Sequence, residues 1–243
     1  MNVDLVIFDK DGTLIDIHYY WGGMVKLRAE MLSERYIKPG QQKKVTQELM
    51  FNMGIDLNTN KIKPTGPIGI KPREYIIDTA HQTIKRYFDT ITLEQVSLVF
   101  KEIDIYSQAH LEELVKPLIG VEELLIKLKQ KKIAIAIATT DLTSRAKLAM
   151  SSIGLIHYFD NIAGSDLVDR VKPSPDLVDY LCEKTSIDQS KTLVVGDSIV
   201  DMRMAESAKV NFIGVKTGLY TPEFLECSQI VVDNLVGMEE LIS

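Results

Sequence analysis

Six short runs of apolar residues have the length of β-strands. They are residues 3–8, 133–138, 161–163, 192–195, 212–215 and 230–232. Helical patterns separate the later runs, and the runs themselves are apolar at nearly every position. Such runs are typical of strands with both faces covered, so the sequence predicts a parallel α/β sheet.

A different pattern fills the first half of the chain after residue 19. Apolar residues there repeat with a helical period, as Met24, Leu27 and Met31 illustrate. We predict two further helices in this region, one from Pro72 through Phe88 and one from Thr92 through Leu114. This part of the chain is therefore expected to be mainly helical.

The change of pattern predicts two domains. The α/β core is expected to consist of residues 1–15 and 117–243, and a helical domain of residues 16–116 is inserted after the first strand. Within the insertion, Gly54–Lys71 is rich in Gly, Asn and Pro, which indicates a long loop or a short hairpin.

Composition excludes several classes of function. The chain carries a net charge of −6 and no basic stripe reverses it, so we expect no nucleic-acid partner. No run approaches the roughly 20 apolar residues of a membrane span, so we expect no membrane partner either. Cys182 and Cys227 are too few for a disulfide framework, and the first residues show no basic leader, which favours a cytoplasmic location.

Reactive polar residues follow three of the apolar runs. The first run ends at Asp9 and Asp11, the second at Thr139 and Thr140, and the third at Asp197. Ligands of open parallel sheets bind beyond the carboxyl ends of the strands, so neighbouring strands would bring these side chains together. A single Asp after a strand is usually a turn residue or a helix cap, but the Asp9-x-Asp11-Gly-Thr run combines too many specific features for that.

Carboxylates gathered at such a point need a cation. Asp9, Asp11, Asp197 and Asp201 would repel one another unless a positive ion neutralised them. Ligation by oxygen atoms alone at a phosphate site favours Mg²⁺. Lys172 stands next to Pro173 and just before a predicted helix, which restricts where its side chain can reach.

These residues resemble four motifs of the haloacid dehalogenase superfamily. Asp9-Lys-Asp-Gly-Thr13 is similar to motif I, Thr139 to motif II, Lys172 to motif III and Gly196-Asp-Ser-x-x-Asp201 to motif IV, in that order along the chain. The insertion resembles the helical cap of the phosphoglycolate phosphatase-like branch. The resemblance covers most of the chain and implies a doubly wound, Rossmann-like α/β core with an inserted α-helical cap.

The resemblance also implies phosphoryl transfer through an aspartyl-phosphate. Asp9 would be the nucleophile, and Asp11 would be the general acid and then the base for the attacking water. Mg²⁺ would be held by Asp9, the backbone carbonyl of Asp11 and Asp197. Asp201 would either bind the metal directly or hold Lys172 beside it.

Phosphate binding is assigned to a second set of groups. Lys172, the hydroxyl of Thr139 and the backbone N–H groups of Thr140 and of Lys10–Gly12, Gly12 among them, would contact the phosphoryl oxygens. His18 follows motif I closely in the sequence and would meet the leaving group of the substrate.

The expected function is a Mg²⁺-dependent phosphatase acting on a small phosphorylated metabolite, either phosphoglycolate-like or a sugar phosphate. A phosphoglucomutase-type phosphotransferase with the same core and cap stays open, because no residue separates the two. A dehalogenase is disfavoured because that branch lacks an acid–base Asp at the position of Asp11. A non-catalytic regulator would not need Lys172, Thr139 and Asp11 together. Monomer and homodimer both remain open.

Overall fold

The computed structural model describes residues 1–242, which contain eight β-strands and ten α-helices. The strands are β1 (Leu5–Phe8), β2 (Ile55–Asp56), β3 (Lys61–Ile62), β4 (Ala134–Ala138), β5 (Asn161–Ala163), β6 (Thr192–Gly196), β7 (Asn211–Val215) and β8 (Val231–Val232). The helices are α1 (Ile17–Tyr36), α2 (Gln42–Asn52), α3 (Arg73–Lys85), α4 (Leu93–Ala109), α5 (Leu111–Leu114), α6 (Val121–Gln130), α7 (Thr143–Ser152), α8 (Asp176–Thr185), α9 (Ile199–Ala208) and α10 (Pro222–Cys227).

Two compact units make up the described chain. The core unit consists of Met1–Asp16 and the chain from Val115 onward, and the helical unit is Ile17–Leu114. Strand β1 belongs to the core unit although the whole helical unit follows it in the sequence. None of the helices within residues 1–242 has both the length and the apolar character that crossing a membrane requires.

The core unit contains one six-stranded sheet in the order β5-β4-β1-β6-β7-β8, and every neighbouring pair of strands is parallel. Strand β1 lies inside the sheet, and the later strands are added first on one side of it and then on the other. That arrangement is typical of a doubly wound sheet, so the predicted fold class is confirmed.

Both faces of this sheet are buried. Leu5 and Ile7 of β1 face helices α8 and α9, where they pack in a cluster with Leu177, Val178, Leu181, Ala136, Ala138, Val194, Met204 and Ala205. Val6 and Phe8 point to the opposite face and are fully buried there as well. Because each buried aliphatic or aromatic side chain contributes roughly 1.5–3 kcal/mol, the ends of the central strands are firmly fixed.

The helical unit differs from the sequence prediction at two helix ends. Helix α4 begins where predicted, with Thr92 and Gln95 forming a capping box. The expectation of one helix as far as Leu114 is wrong, because α4 ends at Ala109 and a separate turn forms α5. The hydroxyl of Ser107 donates to the carbonyl of Asp104 over 2.8 Å, a local bond that competes with the helical pattern near this end. Helix α3 likewise ends before Phe88.

The Gly-rich segment of the helical unit contains a short hairpin. Strands β2 and β3 pair antiparallel, with Ile55 opposite Ile62. The composition of Gly54–Lys71 allowed a long loop or a short hairpin, and the segment contains both: the hairpin spans residues 55–62, and residues 63–71 form an irregular loop. Ile55 and Ile62 are both buried, so each strand of the hairpin places one apolar side chain in the interior of the protein.

Candidate active site

The register of the central strands brings three chain segments to one edge of the sheet. Phe8 of β1 lies beside Ile137 of β4 and Val195 of β6. The residues that follow these positions therefore leave the sheet together at its carboxyl edge. Asp9 is tied to β6 there, because its N–H donates to the carbonyl of Val195 over 2.8 Å.

A group of three carboxylates forms at this edge. One oxygen atom from each of Asp9, Asp197 and Asp201 lies within 4.8 Å of the others. The ammonium of Lys172 lies among them, 2.5 Å from Asp9 Oδ1 and 2.6 Å from Asp201 Oδ1. Asp197, Asp201 and Lys172 are all buried. The geometry thus brings together residues that are separated by more than 180 positions in the sequence.

Burial and mutual repulsion dominate the electrostatics of this group. Burial raises the pKa of Asp9 to about 7, and the charges of Asp201 and Asp11 add to the rise while Lys172 opposes it. Burial also raises the pKa of Asp197 well above its ordinary value, with the charges of Asp9 and Asp201 acting in the same direction. For Lys172, burial alone would lower the pKa, but attraction to Asp201 and Asp9 raises it overall.

Asp201 has both carboxylate oxygens in use. Oδ1 accepts from Lys172, and Oδ2 accepts a hydrogen bond of 2.5 Å from the hydroxyl of Ser198. Of the two roles that the sequence left open for Asp201, this arrangement favours holding Lys172 over direct binding of a cation.

Asp197 is clamped between two loops by close backbone contacts. The N–H of Leu219 donates to Asp197 Oδ2 over 2.6 Å, and the hydroxyl of Thr217 donates to the carbonyl of Gly12 over 2.6 Å. A Cβ atom on Gly12 would lie 2.5 Å from Asp197 Oδ2, and one on Gly218 would lie 1.9 Å from the same oxygen. Only residues without a side chain fit on either side of this carboxylate.

The carboxyl group of Asp11 lies outside the group of three and pairs with Lys10. Lys10 Nζ lies 2.7 Å from Asp11 Oδ2 and 3.3 Å from Asp141 Oδ2. Lys10 is fully buried, so its charge is compensated by these carboxylates in a dry environment.

Thr139 is oriented as a hydrogen-bond donor. Its N–H donates to the carbonyl of Ala163, and its hydroxyl oxygen accepts from the N–H of Asp141 over 3.1 Å. A hydroxyl oxygen that already accepts from the backbone keeps its own proton for another acceptor. Thr139 is buried whereas Thr140 is exposed, so the hydroxyl of Thr139 is the one that lies inside the protein.

Two other predicted residues have different surroundings. The N–H of Gly12 donates to the carbonyl of Ile15 over 2.8 Å, so it is engaged in the turn, and its expected role in binding a phosphate stays a prediction. The contribution of Gly12 is its close approach to Asp197. His18 belongs to the helical unit, where its Nδ1 accepts the N–H of Ile62 over 3.2 Å. That bond ties the first turn of α1 to the hairpin.

Sequence reasoning missed three contributors to this site. They are the side chain of Lys10, the hydroxyl of Ser198 and the N–H of Leu219. Lys10 and Ser198 stand inside the recognised motifs, so their places in the sequence indicated that they lie near the site. The sequence did not indicate where their side chains point. A backbone N–H such as that of Leu219 leaves no trace in the residue type.

Comparison with known proteins agrees with this architecture. A family described as haloacid dehalogenase-like hydrolase matches residues 52–215. A probable phosphatase, IndB, of Dickeya dadantii is 31% identical over 231 residues, which cover 94% of this chain and 89% of that protein. The chain belongs to the haloacid dehalogenase-like hydrolases. The predicted membership of the haloacid dehalogenase superfamily is thereby confirmed.

Further relatives of this hydrolase extend the comparison. A pyrophosphatase, PpaX, of Halalkalibacterium halodurans is 26% identical over 219 residues, covering 90% of this chain and 84% of that protein. A crystal structure of a predicted phosphoglycolate phosphatase from Haemophilus somnus superposes with a TM-score of 0.74 at 19% identity, covering 99% of this chain and 98% of the other. At that identity, the structural likeness establishes the fold.

Proposed function

We propose that this hydrolase is a Mg²⁺-dependent phosphatase that cleaves small phosphomonoesters through an aspartyl-phosphate on Asp9. The observation that carries the proposal is the buried group of Asp9, Asp197 and Asp201 with Lys172 among them at the carboxyl edge of the sheet. Phosphatases among the curated relatives support the reaction class.

Asp9 is suited to attack phosphorus. An ionised carboxylate needs no base to become a nucleophile, but it must approach an anionic phosphate. Lys172, 2.5 Å from Asp9 Oδ1, supplies a positive charge at that point, and Asp201 holds the ammonium from its other side. The hydroxyl of Thr139 would donate to a phosphoryl oxygen. As the bond from Asp9 to phosphorus forms, the bond from phosphorus to the leaving oxygen breaks.

The donor set at this edge fits a divalent cation. Asp9 Oδ1 and Asp197 Oδ2 are occupied by Lys172 and by Leu219 N–H, so each carboxylate keeps one oxygen for a metal. Asp9, Asp197 and the backbone carbonyl of Asp11 would hold the ion, and oxygen donors of this kind suit Mg²⁺. When bound, Mg²⁺ would screen the repulsion between Asp9 and the phosphoryl oxygens.

Asp11 is proposed as the acid and base. It would enter the first step protonated, with Asp141 as the remaining counter-ion of Lys10, and give its proton to the leaving oxygen. In the second step it would take a proton from the water that attacks the phosphoryl group. That attack breaks the bond between Asp9 and phosphorus and releases inorganic phosphate, which restores the free carboxylate of Asp9.

The substrate is proposed to be a small phosphorylated metabolite in the cytoplasm. Phosphoglycolate and sugar monophosphates follow from the family branch, and the pyrophosphatase among the relatives adds pyrophosphate to the compounds worth testing. We propose no nucleic-acid or membrane partner, because the chain is acidic and none of the described helices could span a membrane.

The proposal is tested by measuring inorganic phosphate released from phosphoglycolate, sugar monophosphates and pyrophosphate. We expect turnover with Mg²⁺, its loss in excess chelator and its return when Mg²⁺ is added. Asp9→Asn should abolish turnover and should also abolish a phosphate adduct in the intact mass of acid-quenched protein. Asp4→Asn is the matched control, because Asp4 is an exposed acid at the other end of β1 and should leave turnover unchanged.

Three results would contradict the proposal. They are turnover in excess chelator, turnover by Asp9→Asn, and a phosphate adduct on a residue other than Asp9. Conversion of a sugar phosphate into an isomer without release of phosphate would instead identify the phosphotransferase alternative.

A further inference from the structure

The most deeply buried charge near the site belongs to a side chain with no role in the proposed chemistry. Lys10 is fully buried, although lysine is rarely found in that state. Its ammonium lies 2.7 Å from Asp11 Oδ2 and 3.3 Å from Asp141 Oδ2. The side chains of these two partners are 16% and 11% exposed, so both ion pairs are largely shielded from water.

Lys10 connects two loops that leave neighbouring strands. Asp11 follows β1 and Asp141 follows β4, and β1 pairs with β4 in the sheet. Asp141 is itself held in place, because its Oδ1 accepts the N–H of Leu142 over 2.8 Å and lies 3.7 Å from Nε of Arg145. The ammonium of Lys10 therefore links the Asp11 carboxyl group to a fixed point on the next strand.

We propose that Lys10 is a positioning residue that fixes the carboxyl group of Asp11 for proton transfer to the leaving oxygen. This inference rests on the proposed function, in which Asp11 is the acid. Proton transfer needs the carboxyl oxygen within hydrogen-bond reach of the leaving oxygen, and a misplacement of about 1 Å can cost a factor of about 100 in rate. The turn at Gly12 fixes the backbone next to Asp11, so what Lys10 can still set is the direction of the Asp11 side chain.

The leaving group distinguishes positioning of the acid from a merely structural role. An alkyl phosphate needs a proton on its leaving oxygen, whereas 4-nitrophenyl phosphate releases a stable phenolate without one. The ratio kcat/KM reports only the steps up to departure of the leaving group, so it isolates the step in which Asp11 acts as an acid. We compare kcat/KM for glycerol phosphate and for 4-nitrophenyl phosphate, both with saturating Mg²⁺.

Lys10→Met keeps the unbranched, flexible form of the side chain, shortens it by one atom and removes its charge. We expect kcat/KM to fall at least about tenfold for glycerol phosphate and less than about threefold for 4-nitrophenyl phosphate. Lys191→Met is the matched control, because the ion pair of Lys191 with Asp4 is exposed and lies in the same core unit. It should change neither value.

A second variant allows the same test if Lys10→Met fails to fold. Lys10→Met leaves the carboxylate of Asp141 without its ammonium, so Lys10→Met combined with Asp141→Asn removes both charges of that pair. This double variant should show the same dependence on leaving group as Lys10→Met. In an Asp11→Asn background, Lys10→Met should cause no further loss of kcat/KM, because the residue through which it acts is already absent.

Equal losses for the two substrates, or a full additional loss in the Asp11→Asn background, would overturn the positioning role while the proposed phosphatase stands. Wild-type protein that releases phosphate neither from these two substrates nor from phosphoglycolate, sugar monophosphates or pyrophosphate would overturn the proposed function itself. The two failures are therefore told apart by the activity of the wild-type chain alone.

Discussion

Replacing Gly218 by Ala tests whether the loop after β7 sets the geometry of the cation site. The new Cβ would lie 1.9 Å from Asp197 Oδ2, 2.5 Å from Asp197 Cγ and 2.8 Å from Gly12 Cα. No rotation of the alanine relieves these contacts, because a Cβ atom is fixed by the backbone. Either the carboxylate of Asp197 or the loop that carries Leu219 must move, and the hydrogen bond between them is lost.

The size of the effect follows from that hydrogen bond. The N–H of Leu219 donates to an ionisable oxygen over 2.6 Å, and hydrogen bonds to charged groups contribute roughly 1.5–3 kcal/mol. If the loss appears in the binding of Mg²⁺, it corresponds to an affinity weaker by a factor of about 10–100. Thermal unfolding of the metal-free protein should shift little by comparison, provided that the loop rather than the sheet moves.

Calorimetric titration with Mg²⁺ and the Mg²⁺ dependence of phosphate release both measure this affinity. Gly23→Ala is the matched control, because a Cβ at Gly23 in helix α1 meets no atom within 4 Å. It should leave Mg²⁺ binding unchanged and stabilise the protein by about 0.5–1 kcal/mol. A folded Gly218→Ala protein that binds Mg²⁺ as tightly as the wild type would refute the reasoning.

Three further expectations concern stability. Asp104→Asn removes the negative charge that pairs with the buried Arg28 at 2.8 Å and should cost about 3 kcal/mol in urea denaturation. Glu102→Gln, in an exposed ion pair between the same two helices, should cost less than about 1 kcal/mol. Thr92→Ala removes the capping box of α4 and should lower the free energy of unfolding by about 1 kcal/mol. In metal-free protein, burial raises the pKa of Asp9 from 3.8 to about 7, so the folded state holds a proton that the unfolded state has lost. The stability of Asp9→Asn relative to wild type should therefore grow as the pH rises from 3.8 to about 7, and a flat difference across that range would contradict the assignment.

The strands and the segments of the site could be predicted from the sequence because each depends on residue type alone. Consecutive residues of a strand point to opposite faces of the sheet, so a nearly continuous apolar run is buried only if both faces are covered, as the four buried residues of β1 illustrate. Asp9 and Asp197 stood out because each ends such a run. The order of the strands left no comparable signal, because every run is equally apolar and any of them could have paired with β1.

The directions in which side chains and backbone N–H groups point could not be predicted from the sequence. The sequence left Asp201 between two roles, and no residue type indicated that its two oxygens accept hydrogen bonds from Lys172 and Ser198. Gly12 was expected to donate to a phosphate, but its N–H serves the tight turn that ends at Ile15. A lysine in a loop is usually solvated, so nothing in the residue type of Lys10 indicated that it is buried.

The charges of this group are the reason for proposing a cation beside Lys172. Asp9, Asp197, Asp201 and Lys172 together carry a net charge of −2 when all four are ionised. Without a metal, burial and the repulsion between the carboxylates raise the pKa values of Asp9 and Asp197. Their carboxyl groups therefore bind protons where they could bind a cation. A single divalent ion would neutralise the group, whereas a second lysine would leave it anionic and repel a phosphate. Protons and Mg²⁺ therefore compete for the same oxygens, and the affinity for Mg²⁺ should fall as the pH is lowered below about 7.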